Sequence, residues 1–164
     1  MYIPILPSPL ETTFDLIAAD KNGKVVLLVE VKARKLSSEK DRELLIAHLN
    51  SYFSSGKSKV PFAMLIGSDK IEVFNFDYDL DTLELILSLE TAFILSYYEP
   101  KYGEKRIFHH YLVGLVRAWL RDLAYHWKSA TPPASKEIAE IGLLALLDEG
   151  TTDVGESLSG ETVY

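Results

Sequence analysis

The sequence feature that most constrains the fold is an Asn-Gly turn signal between two apolar segments. Asn22-Gly23 separates residues 14–19 from the run Val25–Val31. Both turn residues tolerate the positive φ of a tight hairpin turn, so the sequence predicts a β-hairpin over residues 13–32. The second arm is apolar at both alternating sets of positions, which is typical of a central strand that is covered on both faces.

Helical and extended patterns surround this hairpin. A helix is predicted over residues 39–54, with a serine cap at Ser37 or Ser38 and an end near Gly56. Strands are predicted over residues 62–66 and 71–76. Further helices are predicted over three segments, which are residues 81–97, 105–128 and 135–147.

These elements predict the domain organisation. The expected fold class is α/β, a mixed sheet flanked by helices in one domain over residues 1–149, with its core in 11–76 and a helical part in 81–149. Residues 150–164 are rich in Gly, Ser, Thr and acidic residues, so we expect a mobile acidic tail there.

Three charged residues lie within the hairpin. If Asn22-Gly23 form its loop, Asp15 lies opposite Glu30 with Cβ atoms about 4.5–5.5 Å apart, and Lys32 follows on the same face. Two facing carboxylates repel each other on a covered strand, and a divalent cation would remove this repulsion. Two acids with a lysine suit metal-assisted phosphodiester hydrolysis. The alternative is that these charges only decorate the strand ends.

This pattern is similar to a known nuclease pattern. Asp15 followed by Val29-Glu30-Val31-Lys32 resembles the D…(D/E)-x-K core of the PD-(D/E)XK nuclease superfamily, which includes restriction endonucleases and Holliday-junction resolvases. The resemblance implies a restriction-endonuclease-like core, Asp15 and Glu30 as ligands of Mg²⁺ or Mn²⁺, and Lys32 as the catalytic lysine. Several branches carry Gln-x3-Tyr on the next helix, where this sequence has His48 and Tyr52.

The resemblance also has departures and accessory residues. The family core opens with a helix and a strand ahead of the aspartate strand, and that helix often supplies another acid. Glu11 is the candidate for this acid here, and we expect the helix over 105–128 to cover the remaining sheet face. Arg34 and Lys35 lie beside the expected site and are candidates for contacts to the backbone of nucleic acid, with DNA as the expected form.

Composition limits the other function classes. The net charge of −7 divides into +2 over residues 1–68 and −9 over 69–164, which places anion binding in the first half. The absence of cysteine excludes disulfides and thiolate metal sites and favours a cytoplasmic location. No apolar run approaches the roughly 18 residues of a membrane helix, so we expect no membrane partner.

Other charged residues of the second half have simpler interpretations. The histidines of the long helix, His109, His110 and His126, are expected to be solvated or structural. Its basic residues, Arg117, Arg121 and Lys128, are expected to compensate the helix dipole, with a phosphate-binding strip as the alternative. The apolar helices predict a homodimer. Three hypotheses stay open: a metal-dependent nuclease, a catalytically inactive nuclease-like accessory subunit, and a helical interaction protein with incidental carboxylates.

Overall fold

The computed structural model describes residues 14–37, 39–54 and 59–155, which form a six-stranded sheet flanked by helices. The strands are β1 (Leu16–Ala19), β2 (Val25–Val31), β3 (Phe62–Ile66), β4 (Lys70–Asp77), β5 (Thr82–Glu90) and β6 (Thr151–Val154). The helices are α1 (Glu39–Ser54), α2 (Thr91–Leu95), α3 (His109–Tyr125), α4 (Ser135–Glu140) and α5 (Leu143–Leu147).

The strand order is β5-β4-β3-β2-β1-β6. Helix α1 connects β2 to its parallel neighbour β3, whereas all other neighbouring strands are antiparallel. The predicted α/β class with a mixed sheet is therefore confirmed, and β2 lies inside the sheet as its apolar sequence indicates.

The hairpin has the predicted register. Leu16 pairs with Val29 and Ala18 pairs with Leu27. Continued by one position, this offset places Asp15 against Glu30, which is the alignment expected from the sequence.

The turn that connects the two arms differs from the predicted one. Gly23 has a φ of 84°, but Asn22 does not have a positive φ. The Asp20 N–H donates to the Lys24 carbonyl at 2.8 Å, which closes a three-residue loop instead of a two-residue loop. An irregularity after Ala18 compensates for the extra loop residue and restores the predicted offset.

The sheet separates two apolar cores. On one face, α1 packs Leu49, Tyr52 and Phe53 against Leu28 and Leu65. On the other face, α3 and the following helices cover the sheet with a larger cluster that includes Leu112, Val116, Trp119, Leu120, Leu123, Ile138, Leu143 and Leu147. The expectation that helix 105–128 covers this face is confirmed. Because the chain itself buries these residues, its apolar helices no longer give a reason to expect a homodimer.

Residues 82–90 form a strand, so the prediction of a helix over 81–97 is wrong for most of that segment. Leu83, Leu85, Leu87 and Leu89 alternate with polar residues, and β5 pairs along its whole length with β4. Cross-strand pairing at the sheet edge therefore prevails over the high helix propensity of leucine. Only Thr91–Leu95 of the predicted segment are helical.

The last helices and the tail also differ from the predictions. Helix α3 is shorter than the predicted 105–128 and ends at His126, which adopts a left-handed conformation. Gly142, with a φ of 87°, divides the predicted helix 135–147 into α4 and α5. Residues 151–154, expected in a mobile tail, form β6 against β1. Ser38 and Gly56 lie outside the described residues.

Within the described residues, no helix is both long enough and apolar enough to cross a membrane.

Candidate functional site

The candidate site lies where β2 ends and β1 begins. Asp15 directly precedes β1, Glu30 is the penultimate residue of β2, and Lys32 directly follows β2. The Val31 N–H donates to Asp15 Oδ2 at 2.7 Å, and the Asp15 N–H donates to the Glu30 carboxylate. The backbone of each arm therefore holds the carboxylate of the other, and Asp15 and Glu30 are held side by side.

Glu30 is the most perturbed carboxylate of this site. Burial, together with the negative charge of Asp15, raises the pKa of Glu30 from 4.5 to about 7. The positive charge of Lys32 and the Asp15 N–H oppose this change without cancelling it. The site therefore carries negative charge that its own cations do not fully neutralise, which is a common property of functional carboxylates.

A second glutamate in the same sheet row provides a contrast. Glu30 and Glu72 both pair with Leu65, one from each side, and both are on the α1 face. Glu72 is only 6% exposed, and Arg42 of α1 donates to its Oε1 from Nε at 2.7 Å. Glu72 thus has an arginine partner, whereas the half-buried Glu30 lies between the charges of Asp15 and Lys32.

The Lys32 ammonium lies close to Glu30 and to His48 of α1. Its charge contributes to the pKa of Glu30, and burial and the Lys32 charge together lower the pKa of His48. The His48 ring is 6.1 Å from the Phe14 ring, whereas Tyr52, one turn further along α1, packs edge-on against Phe14 in the core. His48 therefore belongs to the candidate site, and Tyr52 lies in the hydrophobic core next to it.

His109 is a site residue that the sequence analysis missed. It is the first residue of α3, and its Nε2 is 3.1 Å from Asp15 Oδ1. Nothing in the local sequence indicates this contact, because it depends on how α3 packs across the sheet. The expectation of a solvated or structural histidine is compatible with this contact, but it did not identify Asp15 as the partner.

The loop after β2 carries the predicted accessory cations. Arg34 and Lys35 are exposed there, and the Asp69 carboxylate accepts from the Leu36 N–H at 2.7 Å. The Arg34 carbonyl also accepts from the Ser68 N–H at 2.9 Å. The loop is therefore held by hydrogen bonds to the residues that follow β3, and the side chains of Arg34 and Lys35 are exposed. Glu11 lies outside the described residues.

The donor set suits a hard divalent cation. Mg²⁺ commonly binds one or two carboxylates and keeps several waters, and Asp15 and Glu30 provide two adjacent carboxylates. No group of three or more His, Asp or Glu side chains placed to hold a metal occurs in the described part of the chain. A cation at this site would therefore depend on Asp15 and Glu30 and would complete its shell with water.

The basic residues of α3 do not compensate its dipole, since its last turn has none. Arg117 instead donates to the Thr152 carbonyl at 3.1 Å and to Asp153 Oδ1 at 2.9 Å, and Arg121 lies 3.4 Å from the same oxygen. Lys128 Nζ donates to the Tyr97 carbonyl at 2.8 Å. The predicted role of these three residues is therefore wrong.

Comparison of this chain with family models, curated proteins and solved structures finds no match.

Proposed function

We propose that the protein is a divalent-metal-dependent nuclease that hydrolyses phosphodiester bonds in nucleic acid at the Asp15–Glu30–Lys32 site. The observation that carries the proposal is the juxtaposition of two carboxylates, one of them with its pKa raised to about 7, beside a lysine at the end of a central strand. Purely structural carboxylates are usually paired, as Glu72 is with Arg42.

Each residue has a distinct role in this proposal. Asp15 and Glu30 hold the cation, and His109 orients the Asp15 carboxylate through its Nε2 contact. A bound Mg²⁺ or Mn²⁺ lowers the pKa of a water and neutralises charge that develops on the phosphate. The Lys32 ammonium stabilises the additional negative charge on the phosphate oxygens in the transition state. His48, which the charge of Lys32 helps to keep neutral, can accept a proton from water.

The chain topology supports a restriction-endonuclease-like core. The hairpin β1–β2, the connecting helix α1 and the parallel strand β3 occur in the order that the resemblance implies. The resemblance places a helix and a strand before the aspartate strand. Here α3 and β6, which follow later in the chain, lie against the sheet and against β1. We infer that this later pair has the role that the resemblance assigns to the opening helix and strand.

The test is a cleavage assay with Mn²⁺ at low ionic strength on duplex, branched and single-stranded substrates. We expect wild-type protein to cleave at least one of them, and Lys32→Ala to reduce the rate at least about a hundredfold. Lys24→Ala, which removes an exposed charge from the turn at the opposite end of the hairpin, is the matched control and should keep most of the rate.

Two results would contradict the proposal. Cleavage that is unchanged by Lys32→Ala would place the chemistry elsewhere. Binding of nucleic acid without cleavage of any substrate would identify a catalytically inactive nuclease-like subunit instead.

A further inference from the structure

A groove with a volume of about 650 Å³ runs between α3 and the edge strand β6. Arg117 and Arg121 line one wall, and Asp153 lines the other. Tyr125 and Trp127, which are 56% and 55% exposed, also line the groove. The lining therefore combines charged side chains and exposed aromatic rings on a surface that is mostly apolar.

The two elements that flank the groove, α3 and β6, both have one end next to Asp15. His109, the first residue of α3, contacts the Asp15 carboxylate, and the Gly155 N–H, directly after β6, donates to the Asp15 carbonyl at 2.9 Å. Arg117 lies eight residues along α3 from His109, which is about 12 Å at the α-helical rise. The helix and the strand that form the groove therefore also contact Asp15, although Asp15 and His109 do not themselves line the groove.

The two arginines are oriented toward one shared anionic group. Arg117 and Arg121 lie one helical turn apart, about 6 Å along the axis, and both guanidinium groups reach the same Asp153 oxygen, so they can hold one anionic group together. The Thr152 carbonyl fixes the Arg117 guanidinium. Asp153, with a side chain 62% exposed, holds one oxygen between the two arginines, so its carboxylate occupies the position that a phosphate would take. An ion pair with so much exposure is weak and can be displaced.

The exposed side chains of Tyr125 and Trp127 favour nucleic acid over other polyanions as the ligand of this groove. Unpaired bases stack on exposed Tyr and Trp side chains, whereas a duplex does not expose its base faces. The Trp127 Nε1–H donates to the Ala118 carbonyl at 2.9 Å, which holds the indole in place while more than half of its surface stays exposed. Addition of a strand from a second copy is less suited to this edge, because Arg117 already occupies the Thr152 carbonyl.

We propose that the groove between α3 and β6 binds a single-stranded segment of nucleic acid, with Arg117 and Arg121 on the same phosphate and Trp127 and Tyr125 stacking on neighbouring bases. This inference rests on the proposed function, since it identifies the substrate form that reaches the Asp15 site. It also locates anion binding in the second half of the chain, where the summed charge of −9 gives no indication of it.

The test is fluorescence anisotropy with a labelled 12-nucleotide oligothymidylate at low salt in EDTA. Arg121→Gln should weaken binding about tenfold and reduce the salt-dependence slope by about 0.7. Trp127→Ala should weaken binding by a similar factor through lost stacking. Asp153→Asn removes the competing carboxylate and should tighten binding several-fold. Lys136→Gln removes the same charge as Arg121→Gln from an exposed residue of α4 and should have little effect.

Several results would overturn the inference. The first is that Arg121→Gln and Lys136→Gln lower the affinity for the oligothymidylate equally. The second is that Asp153→Asn binds the oligothymidylate more weakly than wild type does. The third is that a polyglutamate peptide of matched charge binds as tightly as the oligothymidylate. Self-association that covers the groove, detected by light scattering, would also overturn it. The binding assay contains EDTA and therefore does not depend on metal-assisted hydrolysis. A protein that binds the oligothymidylate in the groove but cleaves nothing with Mn²⁺ would contradict the nuclease proposal alone. A protein that cleaves with Mn²⁺ but does not use the groove for binding would contradict this inference alone.

Discussion

Replacement of Glu30 by Gln should stabilise the metal-free protein above neutral pH. The Glu30 carboxylate is charged there at a position where burial and the charge of Asp15 disfavour its charge more strongly than Lys32 and the Asp15 N–H favour it. Glutamine has a similar shape and can still accept the Asp15 N–H, but it has no charge. The substitution therefore removes the repulsion and keeps the packing.

The magnitude follows from the pKa of Glu30. A change from 4.5 to about 7 corresponds to about 3.4 kcal/mol at 1.36 kcal/mol per pKa unit. Because Glu30 is partly exposed, solvent screening reduces this to about 1.5–2 kcal/mol. For a chain of this size, the Tm should rise by about 3–8 °C.

The raised pKa of Glu30 also determines how the stabilising effect of Glu30→Gln changes with pH. The folded state binds the Glu30 proton more tightly than the unfolded state, so the stability that this proton contributes is complete below pH 4.5 and disappears as the pH rises through 7. The difference between Glu30→Gln and wild type should therefore be small at pH 4.5 and largest at pH 8.

The assay is thermal unfolding in EDTA between pH 4.5 and 8, with Glu72→Gln as the matched control. Glu72 lies in the same sheet row but is paired with Arg42, so Glu72→Gln should destabilise the protein at pH 8. The reasoning would be refuted if Glu30→Gln were equal to or less stable than wild type at pH 8.

Two predictions concern the surrounding structure. Gly67→Ala should destabilise the protein by about 2–3 kcal/mol, because its Cβ would lie 2.8 Å from the Arg34 carbonyl oxygen; Gly114→Ala, whose Cβ meets nothing within 4 Å, should be neutral or stabilising, and equal Tm values for the two variants would be inconsistent with the packing. Tyr98→Phe should cost about 1.5–3 kcal/mol in chemical denaturation, because the Tyr98 hydroxyl donates to the fully buried Asp122 at 2.7 Å; an unchanged midpoint would contradict this role.

The central hairpin was predictable because its signals are local. The apolar run of β2 and the nearby Asn-Gly pair determine a strand, a turn and a register within a short stretch of sequence. The carboxylate pair of Asp15 and Glu30 follows directly from that register. The turn itself was mispredicted, but the bulge after Ala18 corrects for it.

The remaining elements depend on partners that are distant in sequence. The leucines of β5 satisfy a strand pattern only when β4 is available to pair with them, and β6 is a short polar segment that becomes a strand because β1 lies beside it. His109 and the groove arginines similarly acquire their contacts from the packing of α3. No local sequence pattern indicates how α3 packs across the sheet, so the contacts of His109, Arg117 and Arg121 could not be predicted from the sequence.

The most direct test of the central claim is calorimetric titration of Mn²⁺ into the metal-free protein at pH 8. We expect one Mn²⁺ per chain for wild type and for Lys32→Ala, because the ammonium does not ligate the ion. Asp15→Asn and Glu30→Gln should each lower the affinity at least about tenfold, while Glu84→Gln, an exposed carboxylate change on β5, should leave it unchanged. Wild-type protein that takes up no Mn²⁺, or Asp15→Asn protein that binds it as wild type does, would contradict the account.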